Sequence, residues 1–194
     1  MDCNRPDGCY TRVPLYRELG ISYSGFNSLL RGMDEHGCCV LLESAGRTKK
    51  LGRFSFLCFN PGETVTASSR GVKVSNETGE FFYEGEDIFT WLDSRIKEHV
   101  SPGRREFGDF NGGYAGYIGA AAGIQNGVDD TPFAELIRVD DFLVFDNHTG
   151  RIHLSTAVYV DREGNSEALR NGEERLTRME EHIKKIIAGA QCSH

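Results

Sequence analysis

Nothing in the 194-residue sequence is apolar for long enough to span a bilayer, so no membrane-spanning helix is expected. The opening residues, M-D-C-N-R-P-D, are not those of a secretory leader, and the expected compartment is the cytoplasm. Positive charge is scarce too: 22 Lys and Arg face 29 Asp and Glu, a net charge of −7. Nucleic-acid binding needs a basic face, so no nucleic-acid partner is expected; Lys49-Lys50 and Arg104-Arg105 are too short to reverse the balance. No two of the six cysteines (Cys3, Cys9, Cys38, Cys39, Cys58 and Cys192) have C-x-x-C spacing, which leaves a zinc or dithiol motif unsupported. Reduced thiols are expected, with Cys38, Cys39 and Cys58 serving as small apolar residues. There is no G-x-G-x-x-G and no G-K-[ST], so a phosphate-binding loop is poorly supported.

What is present is an ordinary globular composition, 39% hydrophobic and 26% charged. No repeat, low-complexity tract or domain boundary is evident, and one domain over residues 1–194 is expected. Val13 to Leu19 reads as an extended segment, with Pro14 favouring an edge. Ser24 is placed to cap a helix with Phe26, Leu29, Leu30 and Met33 on one face. Close-set turns after Asn60-Pro61-Gly62 predict an antiparallel meander of Glu63–Ser68, Gly71–Ser75 and Glu80–Tyr83. Glu86 and Asp87 open an acidic helix N-terminus, with Ile88, Phe89, Leu92, Ile96 and Val100 as the expected buried stripe and Trp91 beside it in the core or an interface.

Phe110 to Gly119 alternates glycine with Tyr114, Tyr117 and Ile118, as in a strand closely approached by another backbone or a ligand. Phe142–Phe145 and Ile152–Val160 form a second hairpin, turning through Asp146 to Gly150. His148 and His153 lie on opposite sides of that turn; without a third ligand they read as surface histidines, and no metal site is assigned. Asp129-Asp130 and Asp140-Asp141 are adjacent pairs with diverging side chains and read as turn and surface residues. From Ser166 to Ala190 a helix carries Leu176, Met179, Ile183, Ile186 and Ile187 on one face, with Asn171-Gly172 expected to interrupt or start it. Nothing follows that helix for its apolar face to pack on except the domain itself or a partner.

The richest stretch is Cys39 to Pro61. Val40 to Leu42 is a short apolar run, and Phe54, Phe56 and Cys58 alternate with Ser55 and Leu57. Paired as a hairpin around the loop Gly46 to Lys50, these strands bring Glu43, Ser44 and Arg53 to one end of an apolar surface. A carboxylate, a hydroxyl and a guanidinium there match the ammonium and carboxylate of an amino-acid ligand. The same Glu and Arg also fit a solvent-exposed ion pair, contributing about 0–1 kcal/mol.

The segments V-P-L-Y-R-E-L, L-L-E-S, L-G-R-F-S-F, N-G-G-Y-A-G-Y-I-G and F-L-V-F-D-N-x-x-G-R-I-H-L occur in that order between Thr11 and Val160. The chain thereby resembles the N-terminal domain of anthranilate synthase component I and of aminodeoxychorismate synthase component I. The resemblance implies an α+β fold, mostly antiparallel sheet of short strands packed with helices, with a core over 11–160 and a helix over about 166–190 leading toward the family's next domain. It also implies an allosteric tryptophan pocket in which Leu42, Glu43 and Ser44 contact the ligand with Arg53 and Phe54 beside it. The intact Glu43-Ser44 pair looks more like the anthranilate branch. Two departures stand out. The family's catalytic domain, with its chorismate pocket and magnesium-binding carboxylates, is not in this chain, so no cofactor is assigned to it. Ala120-Ala121-Ala122 also stands where the family has an aromatic and an acidic residue.

These readings lead to a regulatory and assembly module. It would bind tryptophan or a similar amino acid, pair with a separate chorismate-binding chain and accept a glutamine amidotransferase subunit, as the resemblance implies. The alternative is a purely structural half of a split chorismate-utilising enzyme. A free-standing enzyme finds little support, because no nucleophile–base pair, metal cluster or phosphate loop is present for a mechanism to use.

Overall fold

Alternating apolar residues, punctuated by Gly, Pro, Asn and Asp turns, account for most of the strands. The computed structural model describes residues 12–21, 29–30, 40–43, 52–98, 101, 110–123, 130–160 and 166–191. In chain order the strands are β1 (Arg12–Leu19), β2 (Val40–Leu42), β3 (Phe54–Phe59), β4 (Glu63–Ser68), β5 (Gly71–Asn76), β6 (Gly79–Glu84), β7 (Gly113–Ile118), β8 (Ala134–Val139), β9 (Asp141–Asp146) and β10 (Ile152–Tyr159). The helices are α1 (Ile88–Glu98) and α2 (Ser166–Gln191), and Ala120–Gly123 makes one 3-10 turn. One sheet has the order β1-β10-β9-β3-β2 and the other β6-β5-β4-β8-β7, all pairs antiparallel. The fold is α+β, as expected. Both hairpins, the β4–β5–β6 meander and the edge position of β1 with its Pro14 also match the sequence reading.

The first sheet is buried on both faces, which is why β9 is buried at every position. Leu57, Phe59, Leu143, Phe145, Ile152 and Leu154 meet Leu176, Met179 and Ile183 of α2. The apolar stripe of α2 therefore rests on the chain's own sheet. Of the helix expected after Ser24, only Leu29 and Leu30 lie within the described residues; both join this layer. On the opposite face Cys58, Phe142 and Val144 pack with Ala115, Ile137 and Val139 of the second sheet. The far side of the second sheet holds Val65, Ala67, Val72, Val74 and Leu136 against Ile88 and Trp91 of α1.

Three expectations need correction. In α1 the buried face is Ile88 and Trp91, with Leu92 half-buried, while Phe89 (54%) and Ile96 (61%) are exposed. Phe89 and Ile96 are seven residues apart and so share one flank, just off the contact line set by 88, 91 and 92. Asp87 is the N-cap, its Oδ2 accepting from Thr90 N at 2.9 Å. Second, Asn171-Gly172 does not break α2, which runs unbroken from Ser166 to Gln191. Gly172 is where the helix touches the sheet: a Cβ there would come within 2.5 Å of both Leu15 Cδ1 and Val158 Cγ1.

Third, Asp140 and Asp141 are not surface residues. They are 5% and 0% exposed and sit where the chain passes from the second sheet to the first. Their side chains do diverge. Asp140 accepts from Arg12 Nε at 3.0 Å and Tyr159 Oη at 2.9 Å. Asp141 accepts from Arg175 Nη2 at 2.7 Å, Thr156 Oγ1 at 2.7 Å and Asn60 Nδ2 at 3.2 Å. Burial, reinforced by the Asp140 charge, pushes the Tyr159 hydroxyl up to about 12. The glycine-rich strand does meet another backbone: at Gly116, with φ +152°, a Cβ would collide with the carbonyl of Glu135 in β8.

Gly172→Ala should lower stability by about 1 kcal/mol, overpacking outweighing the gain in helix propensity. Gly189→Ala, with nothing within 4 Å of the added methyl, should be neutral or stabilising. Urea midpoints of the two variants, measured side by side, check the sign. Equal shifts would contradict close seating of α2 at Gly172.

Candidate functional site

The pairing of β2 with β3 sets Val40 opposite Cys58 and Leu42 opposite Phe56. Leu42, Phe54 and Phe56 consequently share a face and are half-buried with the cluster between the sheets. Together with Leu41, Glu43 and Phe110 they line an open groove of about 450 Å³. The Phe110 ring closes one wall, 4.8 Å from Phe56 and 5.2 Å from Phe142 between centroids. Its backbone neighbour Asn111 is held from β1: Arg12 Nη1 donates to the Asn111 carbonyl at 2.5 Å, and Tyr16 Oη to Asn111 Oδ1 at 2.9 Å. The groove is thus an aromatic slot with one exposed carboxylate, Glu43, on its lining.

The structure brings together Leu42, Glu43 and Phe54 from the sequence-derived set. Ser44 lies outside the described residues. Arg53 stands beside the groove but is otherwise engaged. Its Nε and Nη2 both donate to Asp146 Oδ2, at 3.2 and 2.8 Å, and its guanidinium lies 4.7 Å from the centre of the Phe54 ring. An ion pair flanking the hairpin was one of the two readings of this residue, and the carboxylate that forms it is Asp146. Asp146 also caps its own turn, Oδ1 accepting from His148 N at 2.9 Å. Burial by itself raises the Asp146 carboxyl; the Arg53 guanidinium and the N–H groups of His148 and Thr149 outweigh it and hold the group down at about 2.

Phe56 was not among the residues drawn from the sequence, although its place two positions from Phe54 on the same strand face is a signal that could have found it. Phe110 carried no such signal, because it reaches the groove from the lead-in to another sheet. Among the described residues no group of three or more His, Cys, Asp or Glu is arranged to hold a metal ion. No helix of the described residues is long and apolar enough to cross a membrane.

No family model matches the sequence, and no curated protein matches it. Among solved structures the fold is similar to the crystal structure of anthranilate synthase component I from Streptococcus pneumoniae. The TM-score is 0.47 and the identity 23%, over 75% of this chain and 31% of that chain. The matched region is about a third of that protein's length.

The Asp146 carboxyl lies below its ordinary 3.8 in the folded chain, so its contribution is complete above about pH 4 and is lost as pH falls toward about 2. Because the Arg53 side chain is 47% exposed, solvent screening keeps that contribution small. Asp146→Asn should remove this part of the acid dependence of the urea midpoint. An unchanged slope between about pH 4 and pH 2 would contradict the assignment.

Proposed function

We propose that the groove binds an amino acid with an aromatic side chain, tryptophan or a close analogue, and that the chain is a regulatory and assembly domain of an anthranilate synthase component I-like system. The convergence of Leu42, Glu43 and Phe54 on one aromatic slot carries this reading. The L-L-E-S and G-R-F motifs name those residues, and a lining of Leu42, Phe54, Phe56 and Phe110 suits a planar ring. The ring of the ligand lies between Leu42, Phe56 and Phe110. The ammonium group pairs with Glu43, and Ser44, next in the chain, serves the polar end. Arg53 keeps Nη1 for the ligand carboxylate while Nε and Nη2 stay on Asp146. A separate chorismate-converting chain completes the system, with a glutamine amidotransferase subunit joining the assembly.

The Arg53–Asp146 pair favours a second reading, in which the guanidinium is a structural clasp and the chain completes a catalytic half without binding an effector. Calorimetric titration with L-tryptophan separates the two. Saturable heat that disappears in Phe56→Ala and in Ser44→Arg is the expected result. Absence of heat, with or without the chorismate-converting chain, would leave the structural reading standing, and heat indifferent to both substitutions would place any tryptophan site elsewhere.

A further inference from the structure

A second concavity lies at the other end of the first sheet and shares no lining residue with the aromatic groove. It has a volume of about 830 Å³ and is enclosed by α2, the chain crossing at Asn60–Gly62, the β5–β6 turn and the ends of β8 and β10. In size it falls in the range of small-molecule sites, but its chemistry is the reverse of the groove's. Asn171, Arg175 and Arg178 succeed one another at four- and three-residue spacing and so face it together from α2. Arg138 faces it from β8.

The arginines are unequally satisfied. Arg175 is bound to the fully buried Asp141. Arg138 reaches Glu63 Oε2 with Nη1 only at 3.5 Å and Asp140 Oδ2 with Nε only at 3.4 Å, and the Nε contact lacks hydrogen-bond geometry. Arg178 has no ion-pair partner among the described residues, although Glu174 and Glu181 stand one turn to either side. Of the two carboxylates on the lining, Asp140 is already held by Arg12, which leaves Glu77 on the exposed turn. Arg175 is matched by Asp141, and Arg138 faces Glu63 and Asp140 at longer range, so Arg178 is the guanidinium on the lining whose charge an incoming anion would meet most directly.

We infer that this cleft is a binding site for the phosphate or carboxylate group of a small organic molecule, with Arg138 and Arg178 as its principal donors and Arg175 and Asn171 beside them. Planar guanidinium forks suit either oxyanion. Arg175 is a poor choice for substitution because Asp141 depends on it. The test uses Arg178→Ala, Glu77→Gln and, as a control at the far end of β10, the exposed Arg151→Ala.

Pyrophosphate, and in a parallel arm citrate, is titrated calorimetrically into the full chain at constant ionic strength. Saturable binding of at least one of them is expected, with the tighter one naming the oxyanion. Binding should weaken about fivefold in Arg178→Ala, strengthen by a similar factor in Glu77→Gln, and hold in Arg151→Ala. No saturable binding of either anion, or equal losses in Arg178→Ala and Arg151→Ala, would overturn the inference.

Discussion

Asp140 and Asp141 stand where one strand of the second sheet becomes one strand of the first, and their burial constrains the rest of the molecule. A buried carboxylate loses several kcal/mol of solvation unless charged and polar partners replace the water. Asp140 therefore fixes Arg12 and Tyr159, and Asp141 fixes Arg175, Thr156 and Asn60. Two adjacent residues thereby tie down both edges of the strand crossing, the first strand and the long C-terminal helix. Removing Arg12 or Arg175 would take from a buried carboxylate its nearest positive charge and leave it to weaker partners, so these contacts constrain one another.

The same arrangement shapes both concavities. Arg12, held by Asp140, reaches on to the carbonyl of Asn111 and so places Phe110 against Phe56. The wall of the aromatic groove thus depends on an ion pair at the sheet crossing. On the other side, Arg175 is held by Asp141 and presents the polar stripe of α2 to the second cleft. One cavity is lined mainly by aliphatic and aromatic side chains with Glu43 among them; the other has Arg138, Arg175 and Arg178 on its lining.

How far the sequence foretold this follows from the range of the interactions. Strands set by alternation and turns, and the Leu176–Met179–Ile183 stripe, depend on neighbours within a few residues and were legible. So was the half of the groove made by β2 and β3, because a hairpin register places Leu42 and Phe54 on one face. The Asp140–Arg12 pair spans 128 residues, and nothing local distinguishes a carboxylate destined for burial from one in a turn. Phe110 joined the groove for the same reason, through packing between sheets. Arg53 shows the limit of reading charge by proximity in the chain: its partner lies 93 residues away at Asp146, in the next strand of the sheet.

An aromatic amino acid in the groove should leave a spatial signature that stability data cannot mimic. Amide and side-chain chemical shifts of the chain, followed by NMR as L-tryptophan is added, give that signature directly. Saturating shifts concentrated at Leu42, Glu43, Phe54, Phe56 and Phe110, with the α2 cleft silent, are what an occupied slot produces. Shifts confined to the Arg138–Arg178 cleft, or none at all up to saturating ligand, would contradict a tryptophan site in this groove.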